Sequence, residues 1–407
     1  MRRVVITGMG TINPLGNSVS QTWEKVKNNE CGIGNISRFD TTDFPVKVAG
    51  EVKGFNAEEV FGKKEAKHMD PFVQYAMKAA AEAFDDSHLV MENEDTARCG
   101  VIISSGIGGL TTIESEHSKG LEKGFRFISP HFIPMVITNM AAGQIAIKYG
   151  FKGMCSCVVT ACAGSNNAIG ESFRHIRDGY ADVMMCGGAE SCITPLGMGG
   201  FASMRSLSRS EDANRASIPF DKERDGFVMG EGAGVIMLET YEHAVNRGAH
   251  IYGEIAGYGA NCDAYHVTAP DPSGQGGAEC MKLALSDAGM RPEEIDYINA
   301  HGTSTHLNDS GETKAIRLAF GTYADKLMVS STKSMTGHML GAAGSVEAII
   351  TTLAIDNGFV PATINYKVPD EECDLDIVPN KGRKTEIGAA LSNALGFGGH
   401  NASIIIR

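Results

Sequence analysis

The sequence predicts an α/β protein built as a duplicated unit, on three observations. Apolar strand-like runs alternate with amphipathic helical stretches, glycine clusters follow many of the apolar runs, and the second half repeats the order of the first. The opening Arg2-Arg3-Val4-Val5-Ile6-Thr7-Gly8 reads as a strand and turn rather than a signal peptide. Residues 71–84 form the first amphipathic stretch, and Val101-Ile102-Ile103 is a strand closed by Gly106-Ile107-Gly108-Gly109. The run Cys157-Val158-Val159-Thr160-Ala161 delivers Cys162 to a helix with Ile169, Phe173 and Ile176 on one face, stopping at Asp178-Gly179. Val183-Met184-Met185 is a strand ending near Gly187-Gly188. Gly230-Glu231-Gly232-Ala233-Gly234 then reads as a turn feeding the strand Val235-Ile236-Met237-Leu238.

The second half follows the same plan. Residues 277–288 are amphipathic, Ile295-Asp296-Tyr297-Ile298-Asn299-Ala300 is a strand, and Val329-Ser330-Ser331-Thr332-Lys333 leads past His338 into a helix over 346–355. Gly396-Phe397-Gly398-Gly399 feeds the last strand, as the earlier glycine run feeds its own. The boundary falls near residue 252, giving halves 1–252 and 253–407, with Cys162 and His338 at matching helix starts facing one cleft.

A chain of 407 residues with 43% hydrophobic content buries a large core. No uninterrupted apolar stretch approaches the ~20 residues of a membrane span, so the expectation is a cytoplasmic protein with no membrane insertion. Ten scattered cysteines read as reduced thiols. Cys155 with Cys157, and Cys186 with Cys192, match no common zinc spacing. A formal charge of −13 argues against nucleic acid as a partner. An anionic partner must therefore meet a local basic patch.

Three residues stand out chemically. A thiol at a helix start sits among unpaired N–H groups and the positive end of the dipole, which favours thiolate. His301 ends a strand, and His338 is framed by glycine and hydroxyl residues. None of the other ten of the twelve histidines has such a setting. His306 follows His301 by five residues, but Gly302 and the Thr303-Ser304-Thr305 run oppose a helix there and hence a metal pair.

Thr160-Ala161-Cys162-Ala163, Asn299-Ala300-His301-Gly302-Thr303-Ser304-Thr305, Lys333-Ser334-Met335-Thr336-Gly337-His338 and Gly396-Phe397-Gly398-Gly399, in that order, carry a resemblance. The chain resembles the β-ketoacyl-acyl carrier protein synthases of the condensing-enzyme, thiolase-fold family. Gly106-Ile107-Gly108-Gly109-Leu110 and Arg224-Asp225-Gly226-Phe227-Val228-Met229-Gly230-Glu231-Gly232 make it most similar to the elongating type II branch of bacterial fatty-acid synthesis. The resemblance spans essentially the full chain and implies a duplicated, five-layered αβαβα architecture.

It also implies roles. Cys162 takes an acyl group as a thioester, and His301 and His338 donate N–H to the enolate formed when malonyl-acyl carrier protein loses carbon dioxide. The N–H groups of Cys162 and Phe397 hold the second oxyanion, Phe397 doubles as a gate, and Lys333 orients or charge-balances the histidines. Thr303 and Thr305 match positions that bond the phosphopantetheine arm, and Ile107 the acyl-pocket floor near a homodimer interface. Lys64, Lys67 and Arg205 match the docking patch for acyl carrier protein, the acidic partner that brings acyl and malonyl groups. No cofactor is required, and a structural K⁺ or Na⁺ is expected at Asn299, Glu347, Ser392 and Asn393.

The chain departs from the family in His306, where many relatives carry proline or a small residue, and in Gly164-Ser165 after Cys-Ala. A thiolase or a coenzyme-A-dependent initiating synthase shares the fold but not the two-histidine set, and a chain-length-factor partner lacks the nucleophile. A freestanding polyketide or other secondary-metabolite ketosynthase keeps every motif and stands as the alternative.

Overall fold

Strand β1 (Val4–Ile12) is buried along its whole length. Strands buried on both faces are apolar at most positions, and their alternate side chains feed two different cores. The computed structural model, which describes residues 2–407, shows this in each half. The first half adds β2 (Cys99–Ser104), β3 (Cys155–Ser156), β4 (Val183–Glu190) and β5 (Gly232–Thr240). The second supplies β6 (Gly253–Cys262), β7 (Tyr297–Asn299), β8 (Met328–Ser330), β9 (Ala390–Gly396) and β10 (His400–Ile406). Ile102, Met184 and Ile236 point into one core while Val101, Met185 and Val235 point into another.

The halves share one topology. The first runs β3-β2-β4-β5-β1 and the second β8-β7-β9-β10-β6, and the ten strands join edge to edge between β1 and β6. That junction is short, pairing only Val5 with Glu254 and Ile6 with Gly253. In both halves the first three strands of that order are parallel and the last two join antiparallel.

Helices fill the layers accordingly. The first half carries α1 (Pro71–Ser87), α2 (Met140–Tyr149) and α3 (Gly164–Arg177); the second carries α4 (Gln275–Ala288), α5 (His306–Phe320) and α6 (Ala343–Asn357). Helix α1 starts where Asp70 accepts from the Phe72 N–H, with Pro71 in its first turn. Pairs α1/α2 and α4/α5 cover the outer faces, and α3 and α6 pack together between the sheets. The central helix α6 is buried from Ala343 to Ala354, so its polar Ser345, Thr351 and Thr352 bond back to carbonyls of the preceding turn and Glu347 pairs with Lys333. This is the five-layered, thiolase-like arrangement.

One expectation changes. A glycine turn feeds the closing strand only in the second half, where Phe397-Gly398-Gly399 joins β9 to β10. In the first half Gly232 and Gly234 lie inside β5, and residues 191–231 separate it from β4. Close approach is the reason: a Cβ at Gly234 would lie 2.8 Å from Ser345 Oγ and from the Val346 N at the start of α6.

Candidate active site

Cys162 sits in a single 3₁₀ turn, Ala161–Ala163, that leads into α3. Ala161 takes a left-handed φ of 48°, which a side-chain-bearing residue adopts only when its surroundings hold it there. The thiol is buried, and burial pushes its pKa up to about 12. The Lys333 charge and the N–H groups of Phe397 and Cys162 pull it back only in part. Burial thus opposes the thiolate that the helix start favours.

His301 follows β7, and its loop is clamped by a carboxylate that sequence reasoning missed. Glu312 on α5 accepts from the His301 N–H and the Gly302 N–H, each at 2.8 Å, and from Asn393 Nδ2 at 3.2 Å. Nothing in its local pattern marks it, because its burial is a product of the fold. His338 is fixed through its own backbone, donating to Val228 O at 2.7 Å and accepting from the Gly230 N–H at 2.8 Å. The two imidazoles meet edge to face with centroids 5.2 Å apart.

Both imidazoles are held well below the usual histidine pKa, first by burial and then by the Lys333 charge. Neither Nδ1 has a partner. Lys333 is buried and hydrogen-bonded to Glu347. It lines no part of the cleft, and it reaches the imidazoles through its charge.

Cys162, His301, His338, Thr303, Thr305, Phe397 and Arg205 all line one cleft of about 390 Å³. Thr303 and Thr305 share a hydroxyl–hydroxyl contact of 2.9 Å. Phe397 begins an aromatic series through Phe201 (6.3 Å) and Phe227 (5.5 Å) to His338 (5.3 Å), measured between ring centroids. Phe201 was not singled out from sequence, because it lies in the long 191–231 excursion that has no counterpart in the second half.

Other expected residues stand elsewhere. Ile107, after β2, lies outside the cleft and is partly exposed in the single chain. Its N–H donates to Glu190, a buried carboxylate that also receives Gly106 N–H, the Ser105 hydroxyl and, from the other half, Gly341 N–H at 3.0 Å. Lys64, on the short helix Lys63–Ala66, and Lys67, which caps it, are exposed and line no part of the cleft.

Asn299 is tied to the Glu347 carbonyl at 3.4 Å, and Asn393 accepts from Ser403 at 2.7 Å. Glu347 Oε2 and Ser392 Oγ are buried without partners, an acceptor surplus that fits a small cation. His301 and His306 share no metal-ligating group. Among the described residues, the one such cluster is His306, Asp370 and Glu372, with Asp370 already paired to Arg224 at 2.5 Å.

Comparison with known proteins bears on the whole chain. Residues 1–244 match the N-terminal domain of the beta-ketoacyl synthase family and residues 252–367 its C-terminal domain. A 3-oxoacyl-[acyl-carrier-protein] synthase 2 of Synechocystis is 50% identical over 407 residues, covering 100% of this chain and 98% of that one. The protein of that name from Staphylococcus aureus strain MRSA252 is 52% identical over 406 residues, with the same coverage. A solved type II polyketide ketosynthase, in complex with its acyl-carrier protein and bound to a hexaketide, superposes with a TM-score of 0.92. It is 37% identical and covers 100% of this chain and 99% of its own.

Proposed function

We infer how the residues divide the reaction from one premise, that the chain belongs to the beta-ketoacyl synthase family. Its activity is that of a 3-oxoacyl-[acyl-carrier-protein] synthase, elongating acyl chains by decarboxylative condensation with malonyl-acyl carrier protein. The observation that carries the reading is the meeting of Cys162, His301 and His338 in one cleft.

Cys162 Sγ attacks the carrier-bound acyl carbonyl, the carbon–sulfur bond to the enzyme forms, and the thiol proton leaves with the carrier sulfur. The oxyanion of that step is met by the Cys162 and Phe397 N–H groups, a donor of this kind contributing ~3 kcal/mol. Malonyl-carrier then loses carbon dioxide and leaves an enolate. Neutral imidazoles protonated on Nε2 donate to its oxygen, which agrees with unpartnered Nδ1 atoms and with low basicity. The enolate carbon attacks the acyl carbonyl and expels Cys162 thiolate, which takes a proton from solvent to close the cycle. Lys333 keeps both imidazoles neutral, Thr303 and Thr305 bond the pantetheine arm, and Phe397 gates the cleft.

Around this centre the reading adds a homodimer with Ile107 at the pocket floor. Exposed Leu121, Phe125, Phe127, Ile133 and Ile137 on neighbouring segments give an apolar face suited to a second copy. Lys64, Lys67 and Arg205 dock acyl carrier protein, supported by their exposure on a chain of net charge −13. Asn299, Glu347, Ser392 and Asn393 hold a structural K⁺ or Na⁺, and the reaction needs no cofactor. The ten cysteines, free of disulfides, suit the reducing cytoplasm; no helix among the described residues is long and apolar enough to cross a membrane.

The test is to incubate pure protein with malonyl- and long-chain acyl-acyl carrier protein. The expected result is 3-oxoacyl product with acylation at Cys162. Product from Cys162→Ala, or acylation at another residue, overturns the assignment. Lys64→Glu with Arg205→Glu is expected to raise KM for carrier substrates while small-molecule alkylation of the thiol stays unchanged; unaltered KM removes the docking patch.

A further inference from the structure

The left-handed Ala161 raises the question of what holds the nucleophile turn in place. Thr160 precedes it, and Thr160 is gripped by a side chain of α3. Its Oγ1 accepts from Asn167 Nδ2 at 2.6 Å, and Asn167 Oδ1 accepts from the Tyr258 hydroxyl at 2.5 Å. Asn167 lies within the first turn of α3, so this bond ties the helix to the residue two before the cysteine. Tyr258 comes from the other half, on β6, and is 2% exposed.

The tyrosine is itself fixed. Its ring lies so close to α3 that a Cβ at Gly170 would fall 2.3 Å from it, and the Arg174 guanidinium stands 4.5 Å from its centroid. Burial raises the Tyr258 pKa, so its hydroxyl remains a donor at neutral pH. At the other end, the Thr160 carbonyl accepts from Ala163 N–H at 3.1 Å. A Cβ at Gly396 would lie 2.9 Å from that carbonyl and 3.1 Å from Cys162 N. The gripped residue therefore touches the turn that presents Cys162 N–H and the strand end that leads to Phe397.

We propose that Tyr258, Asn167 and Thr160 form a positioning relay that sets the Cys162 turn, and with it the N–H pair facing the acyl carbonyl. The proposal rests on Cys162 as the acylated residue and extends it to side chains that touch no substrate. It separates the two half-reactions: acyl transfer depends on the relay, whereas malonyl decarboxylation depends on His301 and His338, which the relay does not contact. Because the links are in series, breaking either one releases the same turn.

The test uses Tyr258→Phe, Thr160→Val and the conservative Thr160→Ser in the full chain. Transfer from acyl-acyl carrier protein to Cys162 is expected to slow about 10-fold in Tyr258→Phe and Thr160→Val, and to stay within about 2-fold in Thr160→Ser. Malonyl-acyl carrier protein decarboxylation without an acyl donor is expected to stay within about 2-fold in all three. The double variant should transfer no more slowly than the worse single one. Wild-type acyl transfer in Thr160→Val, equal loss of both half-reactions, or multiplicative loss in the double variant overturns the relay. If Thr160→Val does not fold, Tyr258→Phe, which keeps the ring against Gly170, decides alone. Acylation mapped away from Cys162 in the wild type would instead overturn the underlying reading.

Discussion

The two central helices begin alike and serve differently. Each is preceded by a 3₁₀ turn, Ala161–Ala163 in one half and Leu340–Ala342 in the other, and each turn opens on a left-handed residue, Ala161 at φ 48° and Leu340 at φ 45°. Aligned on those residues, Cys162 corresponds to Gly341, and His338 stands two places before its left-handed residue where Cys162 stands one after. Cys162 and His338 therefore share a frame without being equivalent positions. The neighbours decide the use: a Cβ at Gly341 would lie 2.4 Å from Gly106 N, whereas Cys162 faces the cleft. A duplicated fold supplies two matching turns, and packing against the rest of the chain determines which can carry a reactive side chain.

The comparison breaks most severely at the histidine. His338→Ala is expected to slow condensation about 10³-fold. Acylation of Cys162 should change less than about 5-fold, since the two turns serve different half-reactions. Steady-state product formation and mass mapping of the acyl enzyme check both, and equal loss in the two would refute the division.

Lys333→Met should come next. Removing that charge lets both imidazole pKa values rise toward the ordinary 6.5, although burial still holds them down. The acid limb of the condensation profile should move to higher pH, with activity at pH 6 falling about 2- to 4-fold beyond any loss at pH 8. A limb that does not move would separate Lys333 from the histidines.

Stability sharpens the contrast between the turns. Gly341→Ala is expected to lose about 2–4 kcal/mol in urea unfolding, because backbone rather than a mobile side chain blocks its Cβ. Cys162→Ala, at the corresponding position, should lose under about 1.5 kcal/mol. Equal losses would show that the turns are packed alike.

The smallest effect is in pH. A histidine whose folded pKa is depressed contributes no penalty above 6.5. It destabilises as pH falls below that value, because the unfolded chain takes the proton and the folded chain does not. Each should contribute about 1.4 kcal/mol per pH unit below 6.5. His301→Gln should lessen the fall in unfolding free energy between pH 6.5 and 5.5 by about 1 kcal/mol relative to wild type, read from urea unfolding at each pH.

Much of this was legible in the chain. Apolar strand runs alternating with helical stretches gave the class, and repeated order gave the duplication, because every strand of a doubly covered sheet must be apolar on both faces. Cys162, His301, His338, Thr303, Thr305, Phe397 and Arg205 were named before any contact was known. Glu312, Glu190, Asn167, Tyr258 and Phe201 were not, since the contacts that give them a role, near in sequence for Asn167 with Thr160 and far for Tyr258 with Asn167, exist only in the folded chain. The glycines of β5 misread as a turn for a related reason: the helix they admit, α6, begins more than a hundred residues later.

The sequence by itself determined the strand and helix order, through local periodicity, and the family, through its ordered motifs, and it is the family resemblance that supplied the expected site residues. Only the tertiary structure decided their protonation and their geometry. Desolvation by packing from both halves raises the thiol, keeps the imidazoles neutral and closes Lys333 away from solvent, and burial of that kind is a property of what surrounds a residue in space.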